Sequence, residues 1–234
     1  MATIIFTPSM LHGAGTRGVP AIPKSGGGGD TGLATISNAF SMAFNGTDEY
    51  LSSPISMSAL TGLSVSAWAY PTATGTGAAE AIVSTDIASA PRGFYLALYN
   101  GSNFRWQIST NGSTKTSCDS PGGSLPGLNQ WIHVVGTWDA TNMKVYINGS
   151  LSKTISSGVA NGTFSTTNDI LIGARETTAG YFPGSIDEVA VFTSTLDAPT
   201  VESIYSASLP LGSGVTGDLS KLDTPPVAWY RMGD

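Results

Sequence analysis

Apolar and polar residues alternate at every second position through much of the chain after residue 40. In one such segment, the pattern places Val65, Ala67 and Ala69 on one face of a strand. Trp68 and Tyr70 then lie on the other face, because successive side chains of a strand point to opposite sides. Runs of this kind recur between turn signals at the spacing typical of a β-sandwich. The pattern predicts an all-β protein of two antiparallel sheets.

Several turns between these runs carry an Asn-Gly pair. The pair favours tight hairpins, because both residues tolerate the positive φ angles of a type I′ turn. Asn100-Gly101 lies between the runs 93–99 and 104–108, so these two runs are predicted to form a hairpin. Further pairs at 111–112 and 148–149 predict that the antiparallel meander continues.

One short segment breaks the strand pattern and favours a helix. Asp197 can cap its N-terminus, and Pro199 fits the first turn, where a missing N–H is harmless. Val201, Ile204 and Tyr205 then recur at helical spacing. We predict one short helix that closes an end of the sandwich.

The two ends of the chain differ in composition from the middle. Residues 1–35 hold a short strand-like run, then Gly, Pro and four consecutive glycines, and such a segment alone cannot offset its ordering entropy. We predict an extended N-terminal arm (1–35), one sandwich domain (36–208), and a linker with a C-terminal strand that packs on the sandwich (209–234).

The arm needs a binding surface, because chain termini stay disordered unless they are tied down. We expect it to lie across a neighbouring subunit, with addition to its own sheet as the alternative. Strand addition gains affinity from main-chain hydrogen bonds alone. The segment expected to do this consists of Thr3, Ile4, Ile5, Phe6 and Thr7.

Charge and cysteine content narrow the classes of partner. The net charge is −6, and the ten Lys and Arg residues are scattered singly, so no basic stripe is present to bind nucleic acid or an anionic membrane. No apolar run approaches the length of a membrane span, and we expect no export signal. The single Cys118 excludes an internal disulfide framework.

The order of motifs resembles the laminin-G-like, concanavalin-type jelly-roll family. The resemblance covers roughly residues 40–206 and implies a concanavalin/laminin-G-like jelly-roll β-sandwich. It implies little about activity, because one fold hosts many functions. The matching motifs are Phe44-Asn45-Gly46 with Tyr50-Leu51, residues 63–70, residues 131–138 with Asp139, Val145-Tyr146-Ile147-Asn148-Gly149, and residues 182–189.

The carboxylates argue against an enzyme. Glycoside hydrolases of this kind use paired carboxylates in an E-x-D-x-x-E run, and this sequence has no such run. Asp187 and Glu188 are adjacent, so we expect their side chains on opposite faces of a strand. His133 lies in an alternating strand and is expected to be a structural histidine. We predict a non-catalytic protein.

Asp187 is also the candidate metal ligand. We expect it to face inward with Val189 and Val191, where a carboxylate must be hydrogen-bonded or metal-bound. A structural aspartate is the first interpretation. Calcium is the alternative, because the resemblance implies oxygen ligands at this strand, with Asp48 or Glu49 as a further ligand.

Aromatic residues suggest a glycan as a second kind of ligand. Most tryptophans occupy positions where the resemblance implies sheet packing. The better candidates are those expected at strand ends or on an outer face, namely Tyr70, Tyr99, Trp106 and Tyr181.

Together these features favour a structural or interaction protein. The C-terminal run 228–234 resembles a strand found beside such modules in phage and surface structural proteins. Our first hypothesis is a virion decoration, appendage or tail-associated protein of a bacterial virus, assembled in the host cytoplasm as a homo-oligomer on capsid or tail subunits. The alternative is an extracellular or cell-surface lectin-like module that binds polysaccharide, with or without calcium.

Overall fold

The computed structural model describes residues 2–4, 11–12, 33–74, 79–87, 91–208 and 215–232. Within these ranges the strands form two large sheets that face each other, which confirms the predicted sandwich. The eight-stranded sheet contains, in spatial order, β1 (Ala2–Ile4), β19 (Ala228–Tyr230), β17 (Pro183–Phe192), β7 (Leu63–Pro71), β12 (Ile132–Trp138), β13 (Met143–Ile147) and β14 (Ser150–Ile155), and β4 (Met42–Asn45) also pairs with β17.

The seven-stranded sheet lies opposite. Its strands, in spatial order, are β11 (Thr116–Asp119), β10 (Asn103–Ile108), β9 (Phe94–Tyr99), β8 (Ala79–Ser84), β16 (Ile170–Ile172), β5 (Tyr50–Ser53) and β2 (Leu11–His12). Two small sheets pair β15 (Phe164–Thr166) with β6 (Met57–Leu60), and β18 (Val215–Gly217) with β3 (Thr35–Ser37).

The main core lies between the two sheets and follows the predicted alternation. Val65, Ala67 and Ala69 of β7 are fully buried there. Trp106 of β10 packs flat against the opposite sheet at Gly136, where an added Cβ would lie 2.5 Å from the indole ring. Glycine at 136 therefore lets Trp106, one of the two tryptophans of the main core, approach the β12 backbone.

A second apolar layer covers the outer face of the eight-stranded sheet. The helix α1 (Ala198–Ala207) begins at the predicted N-cap, since the Asp197 side chain accepts a hydrogen bond from the Thr200 N–H at 2.9 Å. Val201 and Ile204 are buried beneath the helix. No helix in the described part of the chain is long and apolar enough to cross a membrane.

Both chain ends contribute strands to the eight-stranded sheet. Strand β19 pairs antiparallel with β17, and β1 pairs parallel with β19, with Thr3 opposite Trp229. Ala2–Ile4 thus adds to its own sheet, whereas Ile5, Phe6 and Thr7 of the candidate arm lie outside the described residues. Docking of the arm on a neighbouring subunit stays a prediction.

Candidate functional site

The outer face of the seven-stranded sheet carries a cluster of aromatic and polar side chains that the β9–β10 hairpin aligns. Tyr95 and Tyr99 lie on this face of β9, apart from the main core. The hairpin register pairs Arg105 with Ala97 and Gln107 with Tyr95. Directly opposed residues of an antiparallel pair point to the same side, so Arg105 and Gln107 lie beside the tyrosines.

Strand β11 extends the cluster by two polar residues. Asp119 lies opposite Arg105, and Ser117 lies opposite Gln107. The cluster therefore spans three neighbouring strands. We call it the Tyr–Arg face and define it by Tyr95, Tyr99, Arg105, Gln107, Ser117, Asp119 and Arg175.

Arg105 is held in place by two neighbours. Its Nε and Nη2 donate to the two carboxylate oxygens of Asp119 at 2.7 and 2.6 Å. Its Cζ lies 3.5 Å from the centre of the Tyr99 ring, a close cation–π contact. Burial lowers the pKa of Arg105, but hydrogen bonds with Asp119 and Tyr95 outweigh it and raise the pKa. The guanidinium thus lies against the Tyr99 ring and stays protonated.

Gln107 lies beneath this group and is only 2% exposed. Its Oε1 accepts hydrogen bonds from the Tyr95 hydroxyl at 3.0 Å and from the Ser117 hydroxyl at 3.2 Å. Burial raises the pKa of the Tyr95 hydroxyl, and Arg105 and Arg175 partly offset that effect. At neutral pH the tyrosine is therefore a neutral donor.

A buried ion-pair group borders the other side of Tyr95. The Asp86 carboxylate is fully buried, and one of its oxygens accepts from Arg92 at 3.1 Å and from Arg175 at 3.2 Å. The Cζ of Arg175 lies 5.6 Å from the centre of the Tyr95 ring. Tyr95 thus lies close to Arg175, and Arg105 projects from the neighbouring strand on the same face.

The four predicted glycan candidates are not brought together. Tyr99 belongs to the Tyr–Arg face. Tyr70 lies on the outer face of the opposite sheet, where its ring contacts Trp131 at 5.5 Å. Tyr181 lies 6.5 Å from Tyr50, and its hydroxyl donates to the Thr177 carbonyl at 2.7 Å.

The prediction that Trp106 lies on an outer face is wrong. Its side chain is fully buried between the sheets, in contact with Phe94 at 5.5 Å. Phe104, Trp106 and Ile108 all belong to the main core, because they alternate along β10 with the outward Arg105. A core tryptophan offers no face to a sugar.

The expectation that Asp187 faces inward is also wrong. It lies opposite Trp68, whose side chain is on the outer face of the eight-stranded sheet. The register between β17 and β7 shifts between Asp187 and Ala190, and Glu188 adopts a positive φ of 49°. This β-bulge reverses the alternation, so Val189 enters the core although Asp187 does not.

The same bulge changes the prediction for Glu188, which does not lie on the face opposite Asp187. Its carboxylate accepts from the Trp229 indole N–H at 2.6 Å and forms an ion pair with Arg231 at 3.5 Å. Burial raises the pKa of Glu188 well above its ordinary value, and the neighbouring Asp187 adds to this, while Arg231 opposes it. The pair therefore anchors the C-terminal strand to β17.

Asp48 occupies the turn between β4 and β5, far from Asp187 in sequence. Its carboxylate accepts from the Asn45 amide at 2.7 Å. Among the described residues, no group of three or more His, Cys, Asp and Glu side chains is placed to hold a metal ion. The residues around Asp187 and Asp48 do not form a calcium cage in this geometry, and calcium binding stays an untested prediction.

His133 is a structural residue, enclosed on the outer face of the eight-stranded sheet. Its ring lies 5.1 Å from Trp68 and 5.9 Å from Tyr205 of α1, and its Nε2 is 2.8 Å from the Ser66 hydroxyl. Burial lowers the pKa of His133 to about 3. The imidazole is therefore neutral and inaccessible to a substrate.

Most of the Tyr–Arg face was missed at the level of sequence, although part of it could have been found. The Asn100-Gly101 turn fixes the hairpin register, and that register alone places Gln107 beside Tyr95. Arg175 and Asp86 carry no such signal, because they reach the face from segments distant in sequence.

Comparison with solved structures gives fold relatives at low sequence identity. The native heptameric SAP-like pentraxin from Limulus polyphemus has a TM-score of 0.56 at 19% identity, covering 88% of this chain and 95% of that one. Domain 4 of an extracellular arabinanase from Geobacillus stearothermophilus, solved with arabinotriose, has a TM-score of 0.53 at 20% identity, covering 82% and 87%. The binding domain of botulinum neurotoxin serotype G has a TM-score of 0.56 at 18% identity, and this chain covers 46% of it.

Sequence comparison assigns the family. No curated protein matches the chain. A laminin-G family model, described as the concanavalin A-like lectin/glucanases superfamily, matches residues 45–202, which is more than half of the chain. The matched region holds most strands of both large sheets, including β9, β10 and β11 of the Tyr–Arg face. The chain belongs to the concanavalin A-like lectin/glucanases superfamily.

Proposed function

We propose that the chain is a non-catalytic glycan-binding module whose ligand lies on the Tyr–Arg face. The observation that carries this proposal is the Arg105 guanidinium, which lies against the Tyr99 ring and donates two hydrogen bonds to the Asp119 carboxylate. Sugar hydroxyls both donate and accept, so they bind a rigid set of planar donors and acceptors beside an apolar ring. The arabinanase domain solved with arabinotriose shares the fold and supports the proposal by analogy.

The absence of catalysis is proposed from the same geometry. Asp119 of the face and the bordering Asp86 are each held in an ion pair with arginine. Such a carboxylate is a poor candidate for a general acid or a nucleophile. We expect the purified protein to release no reducing sugar from any polysaccharide that it binds.

The binding experiment uses calorimetric titration against neutral polysaccharides (arabinan, xylan, laminarin) and acidic ones (polygalacturonate, alginate). Tyr99→Ala should weaken binding by about tenfold or more, since the variant removes the aromatic ring and its cation–π contact with Arg105. Tyr70→Ala is the matched control, because it removes a half-buried tyrosine from the opposite sheet. Binding to none of these polysaccharides, or equal loss in both variants, would contradict the proposal.

Assembly into a virion is the second candidate function, and it requires the N-terminal strand to exchange between copies. Strand β1 joins its sheet through backbone pairing with β19 at the sheet edge. The same edge of a neighbouring copy offers an equivalent register, so the arm can exchange between copies. If it does, deletion of residues 1–29 will convert an oligomer to a monomer in sedimentation. An unchanged oligomeric state would count against this function.

A further inference from the structure

The amide of Gln107 has an unmatched donor inside the Tyr–Arg face. Its Nε2 has no hydrogen-bond partner among the described residues, although the side chain is 2% exposed. Its Oε1 accepts from both the Tyr95 and the Ser117 hydroxyls, so the N–H₂ group is the end of the amide that lacks a partner. It is one of several buried polar atoms without a hydrogen-bond partner in the described part of the chain, and the one among them that belongs to the Tyr–Arg face.

The charged groups around Tyr95, which donates to this amide, have a small positive excess. The charged groups acting on the Tyr95 hydroxyl are Arg105, Arg175 and Asp86. With Asp119 of the face and the bordering Arg92, this set of charged groups holds three arginines and two aspartates. It therefore carries a net charge of +1 in a chain of net charge −6, and it concentrates three of the chain's five arginines.

We propose that the glycan bound on the Tyr–Arg face is carboxylated, as in a uronic-acid polysaccharide, and that Gln107 Nε2, enclosed in the unbound protein, becomes accessible and donates to its carboxylate when Asp119 turns away from Arg105. This inference rests on the proposed glycan-binding function and names its substrate class. A carboxylate offers acceptors only, which complements an amide N–H₂ group and guanidinium donors. Its planar pair of oxygens also matches the fork that Arg105 already presents to Asp119.

Asp119 then acts as a resident competitor for Arg105. Its side chain is 36% exposed, whereas the other carboxylate of the face, Asp86, is fully buried. Asp119 can therefore turn away from Arg105 into solvent when a second carboxylate arrives. For an acidic glycan, removing the Asp119 charge relieves repulsion and frees the guanidinium. For a neutral glycan, the same change removes an acceptor.

The test compares polygalacturonate with carboxyl-reduced polygalacturonate, which keeps the backbone and lacks the charge, and alginate is treated in the same way. Dextran sulfate against dextran controls for charge alone. We expect at least about tenfold tighter binding of an acidic form than of its reduced form. Asp119→Asn should tighten binding of that acidic glycan about threefold, and Gln107→Glu, which replaces the donor amide by an acceptor, should weaken it about tenfold.

Each outcome bears on a different claim. If a neutral form binds as well as its acidic form, or if Asp119→Asn weakens binding, the carboxylate inference fails while the proposed function stands. If dextran sulfate binds as tightly as the uronic-acid polymers, the face selects charge alone and the inference is overturned. Binding to no polysaccharide removes the proposed function and the inference with it. Should Gln107→Glu fail to fold by circular dichroism, Asp119→Asn on the exposed rim carries the test alone.

Discussion

Replacing His133 with glutamine should flatten the dependence of stability on pH in the acidic range. The imidazole is 1% exposed, enclosed by Trp68 and Tyr205, and has the Ser66 hydroxyl as its neighbour at Nε2. Burial disfavours the charged form and lowers the pKa of His133 from an ordinary 6.5 to about 3. Between these two pKa values, His133 is neutral in the folded protein and protonated in the unfolded chain.

The magnitude follows from the width of that pH range. Between pH 6.5 and about 3, the unfolded state binds one more proton at this site than the folded state, so stability falls as the pH falls. Each pH unit in this range costs up to about 1.4 kcal/mol of unfolding free energy. The loss reaches about 2 kcal/mol at pH 5, which is a large part of the roughly 5–15 kcal/mol typical of a domain. Above pH 6.5 the histidine contributes no pH dependence.

Urea unfolding followed by tryptophan fluorescence at pH 7, 6, 5 and 4 measures this difference. His133→Gln keeps a polar side chain near Ser66 but cannot titrate, so the wild-type and variant free energies should converge or cross as the pH falls. Ser66→Ala is the control, because it removes the hydrogen bond and leaves the histidine; it should keep the steep wild-type slope. Parallel curves for wild type and His133→Gln would refute the reasoning.

Three further predictions concern the core, the helix and the thiol. Gly136→Ala should destabilise the protein by about 1–3 kcal/mol or more in urea unfolding, because the new Cβ would meet the Trp106 ring. Gly122→Ala is the control and should cost little, because nothing lies within 4 Å of its added Cβ. Equal effects of the two substitutions would contradict the packing account. Asp197→Ala should cost about 1 kcal/mol through loss of the helix N-cap, and an unchanged melting temperature would show that the cap is dispensable. Cys118 is buried, and burial raises the pKa of its thiol to about 11. A thiol-specific reagent should therefore label Cys118 only in denaturing urea. Rapid labelling of the native protein would contradict the burial of this thiol in the core.

The sandwich could be predicted from sequence because its determinants are local. Alternation along β7 places Val65 and Trp68 on opposite faces, as observed. The Asp197 cap predicts the start of α1 for the same reason, since a cap depends on a few consecutive residues. The error at Trp106 was avoidable, because the run Phe-Arg-Trp-Gln-Ile itself alternates and places the tryptophan with Phe104 in the core.

The remaining features depend on contacts that no local pattern encodes. The bulge at Glu188 has a positive φ, but no glycine in the sequence signals it. Its extra residue changes which face the alternate residues of β17 occupy on either side of the bulge. The ion pairs of Asp86 bring together Arg92 and Arg175 from separate segments. The candidate site is thus a product of register and topology, and only its β9–β10 portion was predictable.

A crystal structure of the protein with an oligosaccharide from its tightest-binding polysaccharide tests the central claim most directly. The account predicts the sugar on the outer face of the seven-stranded sheet, in contact with Tyr99, with one of its oxygens accepting a hydrogen bond from Gln107 Nε2. A sugar bound instead beside Tyr70 and Trp131 on the opposite sheet, or at Tyr181 with the Tyr–Arg face unchanged, would contradict it.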